Sequence, residues 1–181
     1  MTDNPIVLFP SRLLKEKGVE IFVEASKILK DRVNVRMYIA GELDSENPSS
    51  ISKYQIDKWV EHGLVEWDGH IEDMPKLLSQ SSIICLPTYY PEGIPKALIE
   101  AASSGRAIIT TDMPGCNEIV QNNDNGILIS IKSSDQLARA IIKLINDAPL
   151  RNKYGKNGRK LVLEKFSSEI VDNATLEVYA D

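Results

Sequence analysis

No glycine in this 181-residue chain stands two positions from another, so the Gly-x-Gly that opens a dinucleotide-binding turn is absent. The Gly-x-x-x-x-Gly-Lys of a phosphate-cradling loop is missing as well, and so is any Asp-x-Asp that would hold a divalent metal against a diphosphate. Histidine is scarce: His62 and His70 are the two, neither has a second ligand at metal spacing, and no metal site is expected. The two cysteines, Cys85 and Cys116, lie in apolar or glycine-flanked surroundings, the usage of unpaired thiols in a reducing cytoplasm. No apolar run approaches the ~20 residues that cross a bilayer. The start, Met1 to Phe9, has neither the basic flank nor the long apolar core of a signal peptide. Positive charge is not in excess either. With 21 Lys and Arg against 26 Asp and Glu, the formal net charge of -5 argues against a general affinity for nucleic acid. Phosphate, if handled at all, must be met by a local set of cations and by helix ends.

What the chain does contain is a hydrophobic content of 43%, enough for one sizeable core, and a regular alternation of short apolar runs with amphipathic stretches. Strands are predicted at Ile6–Phe9, Val35–Ala40, Leu64–Trp67, Ile83–Leu86, Ala107–Thr110 and Gly126–Ile129, and helices over 18–30, 50–62, 73–80, 95–104, 115–121, 134–147, 149–164 and 167–179. Leu137, Ala140, Ile141, Leu144 and Ile145 recur at i, i+3, i+4, i+7 and i+8, with Ser133-Ser134-Asp135 offering the N-cap. Strands such as Ile83-Ile84-Cys85-Leu86 are apolar on both faces, as a sheet covered on both sides requires. The expectation is an α/β fold: a three-layer Rossmann-like domain over residues 1–181, with a mostly parallel six-stranded sheet and a helical C-terminal tail. Ligands then belong at the carboxyl ends of the strands. Three loops lie there by this reading: Pro10–Gly18, Gly41–Ser50, expected to be mobile, and Pro87–Ile94.

Two constellations in these loops carry chemistry. In Ser11-Arg12-Leu13-Leu14-Lys15-Glu16-Lys17-Gly18, Arg12 can grip two phosphate oxygens at once and Lys17 acts as a movable point charge. Taken alone, such basic residues before a helix are usually solvated surface. In Pro91-Glu92-Gly93-Ile94-Pro95-Lys96-Ala97-Leu98-Ile99-Glu100, Pro95 suits the first turn of a helix whose positive end faces the cleft, and Gly93 lets backbone come close to a ligand. Glu92 lies before that helix and Glu100 about two turns further along, placed to take hydroxyls from two ends of one elongated ligand. The plain alternative is a loop carboxylate and a solvated helix residue.

The run from Glu92 through Gly105, Asp112 and Gly115 to Glu118 resembles the donor-site signature of GT-B glycosyltransferases, the retaining group 1 or family 4 enzymes. Glu92 and Glu100 match the family's E-x7-E. Arg12, Lys17 and Gly18 match its basic pair, and Gly41, Val65-Glu-Trp-Asp-Gly69 and Asn125-Gly126-Ile-Leu-Ile follow in order. The resemblance covers nearly the whole chain. It implies that Arg12 and Lys17 hold a nucleotide diphosphate and stabilise the leaving group. Glu92 would meet the sugar hydroxyls, with Gly93 and Ile94 presenting N–H groups nearby, and Glu100 would bind the ribose. Gly41 would line the site, and His70 with Ile71 would face the base. Pro95 and Lys96, and the Pro114-Gly115-Cys116 step, depart from the common pattern and are similar to a branch using UDP-linked sugars in bacterial surface-polysaccharide assembly. On this resemblance the chain is the donor half of an enzyme whose N-terminal acceptor domain lies elsewhere. The enzyme would be cytoplasmic or at the inner face of the membrane, take a nucleotide-sugar and a glycan or polyprenyl-linked acceptor, and need no cofactor. Two alternatives stay open: a sugar-nucleotide epimerase or phosphorylase-like enzyme on a related fold, and a non-catalytic nucleotide-sugar-binding module.

Overall fold

The computed structural model describes residues 4–167; most of the helix expected over 167–179 lies outside the described residues. Six strands, β1 (Ile6–Pro10), β2 (Arg36–Ala40), β3 (Glu66–Trp67), β4 (Ile83–Leu86), β5 (Ala107–Thr111) and β6 (Gly126–Ile129), form one sheet in the order β3-β2-β1-β4-β5-β6. Every pairing is parallel, so the expected mostly parallel sheet is wholly so. Val7, Leu8 and Phe9 of β1 and Ile83, Ile84 and Cys85 of β4 have no exposed surface, because the central strands are covered on both faces.

The helices are α1 (Val19–Leu29), α2 (Lys53–Glu61), α3 (Met74–Gln80), α4 (Lys96–Ser103), α5 (Cys116–Ile119), α6 (Ser134–Asn146) and α7 (Ala148–Lys165), with one turn of 3-10 helix at Lys15–Lys17. α1 packs on α6, while α4 and α5 pack on α7; these are the outer layers of the sandwich. Leu137, Ala138, Ala140, Ile141 and Leu144 bury one face of α6, and the Ser133 hydroxyl accepts from the Gln136 N–H at its start. None of the helices among the described residues is long and apolar enough to cross a membrane.

Local hydrogen bonding explains where the boundaries differ from the periodicity. α2 begins at Lys53 rather than at 50, because Ser52 caps it by accepting from the Gln55 N–H. The preceding Ile51 N–H is spent on the Leu13 carbonyl. β3 is shorter than Leu64–Trp67, since the Leu64 N–H returns to the Trp59 carbonyl at the end of α2. Pro95 is the N-cap of α4 and not part of its first turn; its φ of -65° and ψ of 120° are extended backbone. α5 is confined to Cys116–Ile119 instead of spanning 115–121.

Candidate functional site

The strand order reverses direction between β1 and β4, and a crevice at the carboxyl ends of the strands opens at such a switch point. The two loops flanking it are those that carry the basic pair and the Glu92 run. Backbone contacts hold them together. The Tyr89 N–H donates to the Glu16 carbonyl at 2.9 Å, and the Thr88 hydroxyl donates to the same oxygen at 3.1 Å. Gly18, at a φ of +84°, lies so close to the second loop that a Cβ there would fall 2.1 Å from the Pro87 carbonyl oxygen.

The other loops join in sequence along the same edge. Leu13 N–H donates to Glu42 O and Lys15 N–H to Ser49 O, both at 3.0 Å, while Ile51 N–H donates to Leu13 O at 2.8 Å. Inside the loop, Ser49 N–H bonds Asn47 Oδ1 and Asp44 N–H bonds Ser50 Oγ. The segment read as mobile, Gly41–Ser50, is therefore tied to the first loop near both of its ends. Gly41 acts through packing: a Cβ on it would sit 1.9 Å from Ser11 O, and its carbonyl accepts from Trp67 Nε1 at 2.8 Å. On the far side, a Cβ on Gly115 would lie 2.3 Å from Gly93 O, so the start of α5 abuts the Glu92 loop.

The charged side chains brought to this edge are already paired with one another. Lys17 Nζ lies 2.7 Å from both carboxylate oxygens of Glu92, with the two side chains 15% and 23% exposed. Arg12 Nη1 donates to Asp44 Oδ2 at 2.7 Å, and His70 Nδ1 lies 3.0 Å from Glu42 Oε1. Lys96 reaches Glu100 along α4 at 3.4 Å. Lys17 and Glu92, assigned in the sequence to phosphate and sugar, thus form one unit, and Glu100 stands apart from it. With α4 opening at Lys96, Glu100 lies just past the first helical turn and is half-exposed.

A ligand would find free donors here. α4 has no side-chain cap; Leu98 N–H is spent on the Pro95 carbonyl at 3.0 Å, which leaves those of Lys96 and Ala97 and the positive helix end for an anion. A Cβ built on Gly93 meets nothing within 4 Å, and Ile94 beside it is half-buried against the core. Cys116 lies buried below. Burial pushes its thiol up, Glu92 adds to the rise, and hydrogen bonds with Thr110 and Thr111 together with the charge of Lys17 oppose it. Ile71 follows His70 in the loop after β3, half-buried where His70 is exposed. Two grooves of about 740 and 620 Å³ lie elsewhere, one at the amino ends of β2 and β3, the other between α1 and α2. It is chemistry rather than depth that marks the carboxyl edge.

Sequence reasoning missed Asp44 and Glu42, the partners of Arg12 and His70. The signal was present in the acidic run Glu42-Leu-Asp44-Ser-Glu46, next in space to a basic loop. It also missed the Tyr38 hydroxyl donating to Asp68, which fixes the base of the loop leading to His70.

The family profile described as Glycosyl transferases group 1 matches residues 1–161. Over 97% of its length the chain is 34% identical to N,N'-diacetylbacillosaminyl-diphospho-undecaprenol alpha-1,3-N-acetylgalactosaminyltransferase of Campylobacter jejuni, covering 44% of that protein. The chain thus spans about half the length of the curated relatives it matches. Its fold superposes with a TM-score of 0.86 and 20% identity on Anabaena Alr3699/HepE solved with UDP and glucose, over 99% of this chain and 49% of that one. It also matches the C-terminal domain of the group 1 family protein LpcC from Francisella tularensis, with a TM-score of 0.79 and 27% identity, over 91% of this chain and 87% of that one.

Proposed function

The chain belongs to the glycosyl transferases of group 1, and on that premise we propose that it is the nucleotide-sugar-binding half of a retaining enzyme. That enzyme moves a sugar from a UDP-linked donor to a glycan or polyprenyl-linked acceptor, working in the cytoplasm or at the inner membrane face. The observation that carries this reading is the meeting, at the switch point of the sheet, of Arg12, the Lys17–Glu92 pair and the uncapped start of α4. Support for UDP comes from the ligand of Alr3699/HepE, and support for the acceptor from the undecaprenol-linked substrate in the name of the Campylobacter relative.

The chemistry follows from the charges. As the bond from the sugar to the diphosphate loosens, negative charge grows on the departing oxygen. Arg12, Lys17 and the N–H groups at the start of α4 stand near to receive it. Glu92, anchored by Lys17, is held where sugar hydroxyls would lie, beside the open backbone of Gly93 and Ile94. Glu100 takes the ribose hydroxyls and the His70–Ile71 loop takes the base. Gly41 serves by letting the loops after β1 and β2 approach. No cofactor enters this scheme.

Calorimetric titration with UDP, GDP and ADP tests it. UDP is expected to bind best, and Arg12→Ala with Lys17→Ala to abolish the heat while leaving the thermal transition of the protein in place. Equal binding by that double variant would remove the assignment.

A further inference from the structure

Both cations of the candidate site carry a carboxylate counter-ion, and the two counter-ions are not alike. Glu92 is held at both oxygens in a part-buried setting. Asp44 meets Arg12 through a single oxygen, and the Arg12 side chain is 60% exposed. An ion pair so exposed contributes little and exchanges readily, while a bidentate, largely desolvated one persists. Among the described residues, Arg12 Nε and Nη2 have no protein partner, so the guanidinium keeps donors for a second anion.

The backbone that carries Asp44 is held in place. Its own N–H bonds Ser50 Oγ at 3.1 Å and its carbonyl accepts from Asn47 N–H at 2.9 Å. The flanking residues Glu42 and Ser49 are bonded to the backbone of Leu13 and Lys15. An anion that takes Arg12 therefore leaves a carboxylate stranded close by, with Glu42 and Glu46 on the same loop.

We propose that Asp44 is an internal competitor for Arg12: it yields the guanidinium to an incoming nucleoside diphosphate and takes it back to speed that product's departure. The proposal rests on the reading of this edge as a nucleotide-diphosphate site. It gives Asp44 a role in release and not in chemistry, since its carboxylate opposes the bound state whether or not a sugar is attached. A cationic site for a polyanionic product otherwise risks holding it, and product release limits many enzymes. Lys17 stays on Glu92 throughout and meets the ligand with its remaining proton.

The test is a double-mutant cycle on the 181-residue chain, with UDP as the probe. Affinity is read by calorimetry and dissociation by stopped flow, at low salt and at about 0.5 M salt. Asp44→Asn, with Asp44→Ala as a second variant, is expected to bind UDP roughly two- to fivefold tighter, in line with an exposed ion pair. Most of the gain should appear as slower dissociation. The gain should shrink in high salt and vanish when Arg12 is Ala. Weaker or unchanged UDP binding by both Asp44 variants overturns the proposal and leaves the site assignment standing, as does an equal gain in the Arg12→Ala background. If the wild-type chain takes up none of UDP, GDP or ADP, and Arg12→Ala changes nothing, the site assignment falls and this proposal with it.

Discussion

Tyr38 sits on β2 beneath the loop that leads to His70, buried, with its hydroxyl donated to Asp68. Burial, and then the hydrogen bond and charge of Asp68, push its pKa up to about 12, with Glu66 adding and Arg36 opposing. In the unfolded chain a tyrosine ionises near 10, roughly two units lower. Between those values the unfolded state sheds its proton first. The contribution of Tyr38 to stability is therefore complete below pH 10, falls as pH rises, and is gone above about 12. Ultraviolet titration of the native protein should show this late phenolate step, and Tyr38→Phe should diminish it; ionisation of Tyr38 near pH 10 would contradict the assignment. The Lys17–Glu92 pair is the other residue-scale fact with consequences. Because each side chain fixes the other, a change at either alters, on the proposed reading, both the phosphate and the sugar side of the site.

Among the elements, α7 shows how close backbones must come for the outer layer to form. Gly155 and Gly158 are both buried on it, yet they face different neighbours. A Cβ on Gly155 would stand 2.0 Å from Gly105 O, on the turn between α4 and β5, whereas one on Gly158 would rest 3.6 Å from the Ala102 Cβ. Opposite effects follow. Gly155→Ala should lower stability by about 1–3 kcal/mol, since the backbone clash outweighs the gain in helix propensity. Gly158→Ala should raise it by about 0.5–1 kcal/mol, because alanine costs less conformational entropy and the space is ordinary contact. Urea denaturation of the two variants against the parent chain decides both. α4 makes the complementary point: Pro95, its N-cap in extended backbone, offers no side-chain acceptor, so the first turn of the helix is left uncapped.

For the whole molecule, a sheet covered on both faces gives a scaffold, and the candidate site lies on its carboxyl edge. The chain covers 44% of its Campylobacter relative and 87% of the solved LpcC domain, so the proposed function is that of one half of a larger enzyme. The acceptor hydroxyl that attacks the donor has no assigned partner among the residues of this edge. The expected outcome is that the chain binds UDP but forms no glycoside from UDP-sugars and a polyprenyl-diphosphate-linked saccharide, as read by radiolabel transfer. Transfer at the rate of an intact relative would show that this half holds the acceptor site as well.

Much of this was legible in the linear chain. Local period decided the elements: Ile83–Leu86 reads as a buried strand because both faces are apolar, and α6 reads as a helix from the spacing of Leu137, Ile141 and Leu144. The ordered motifs at Arg12, Lys17, Glu92 and Glu100 marked the family and pointed to the edge that carries the candidate site. Which charges meet was decided only by the tertiary structure. Lys17 and Glu92 stand 75 positions apart, and Arg12 and Asp44 stand 32 apart. They are neighbours because β1 lies between β2 and β4 in the sheet, an order that no local period encodes. The loop after β2 is likewise tied down by hydrogen bonds to the loop after β1 that its polar composition does not reveal. Periodicity reports which face of an element is buried; the pairing of ionic groups across loops depends on strand order and on close backbone approach at Gly18 and Gly41, which exist only once the sheet has formed.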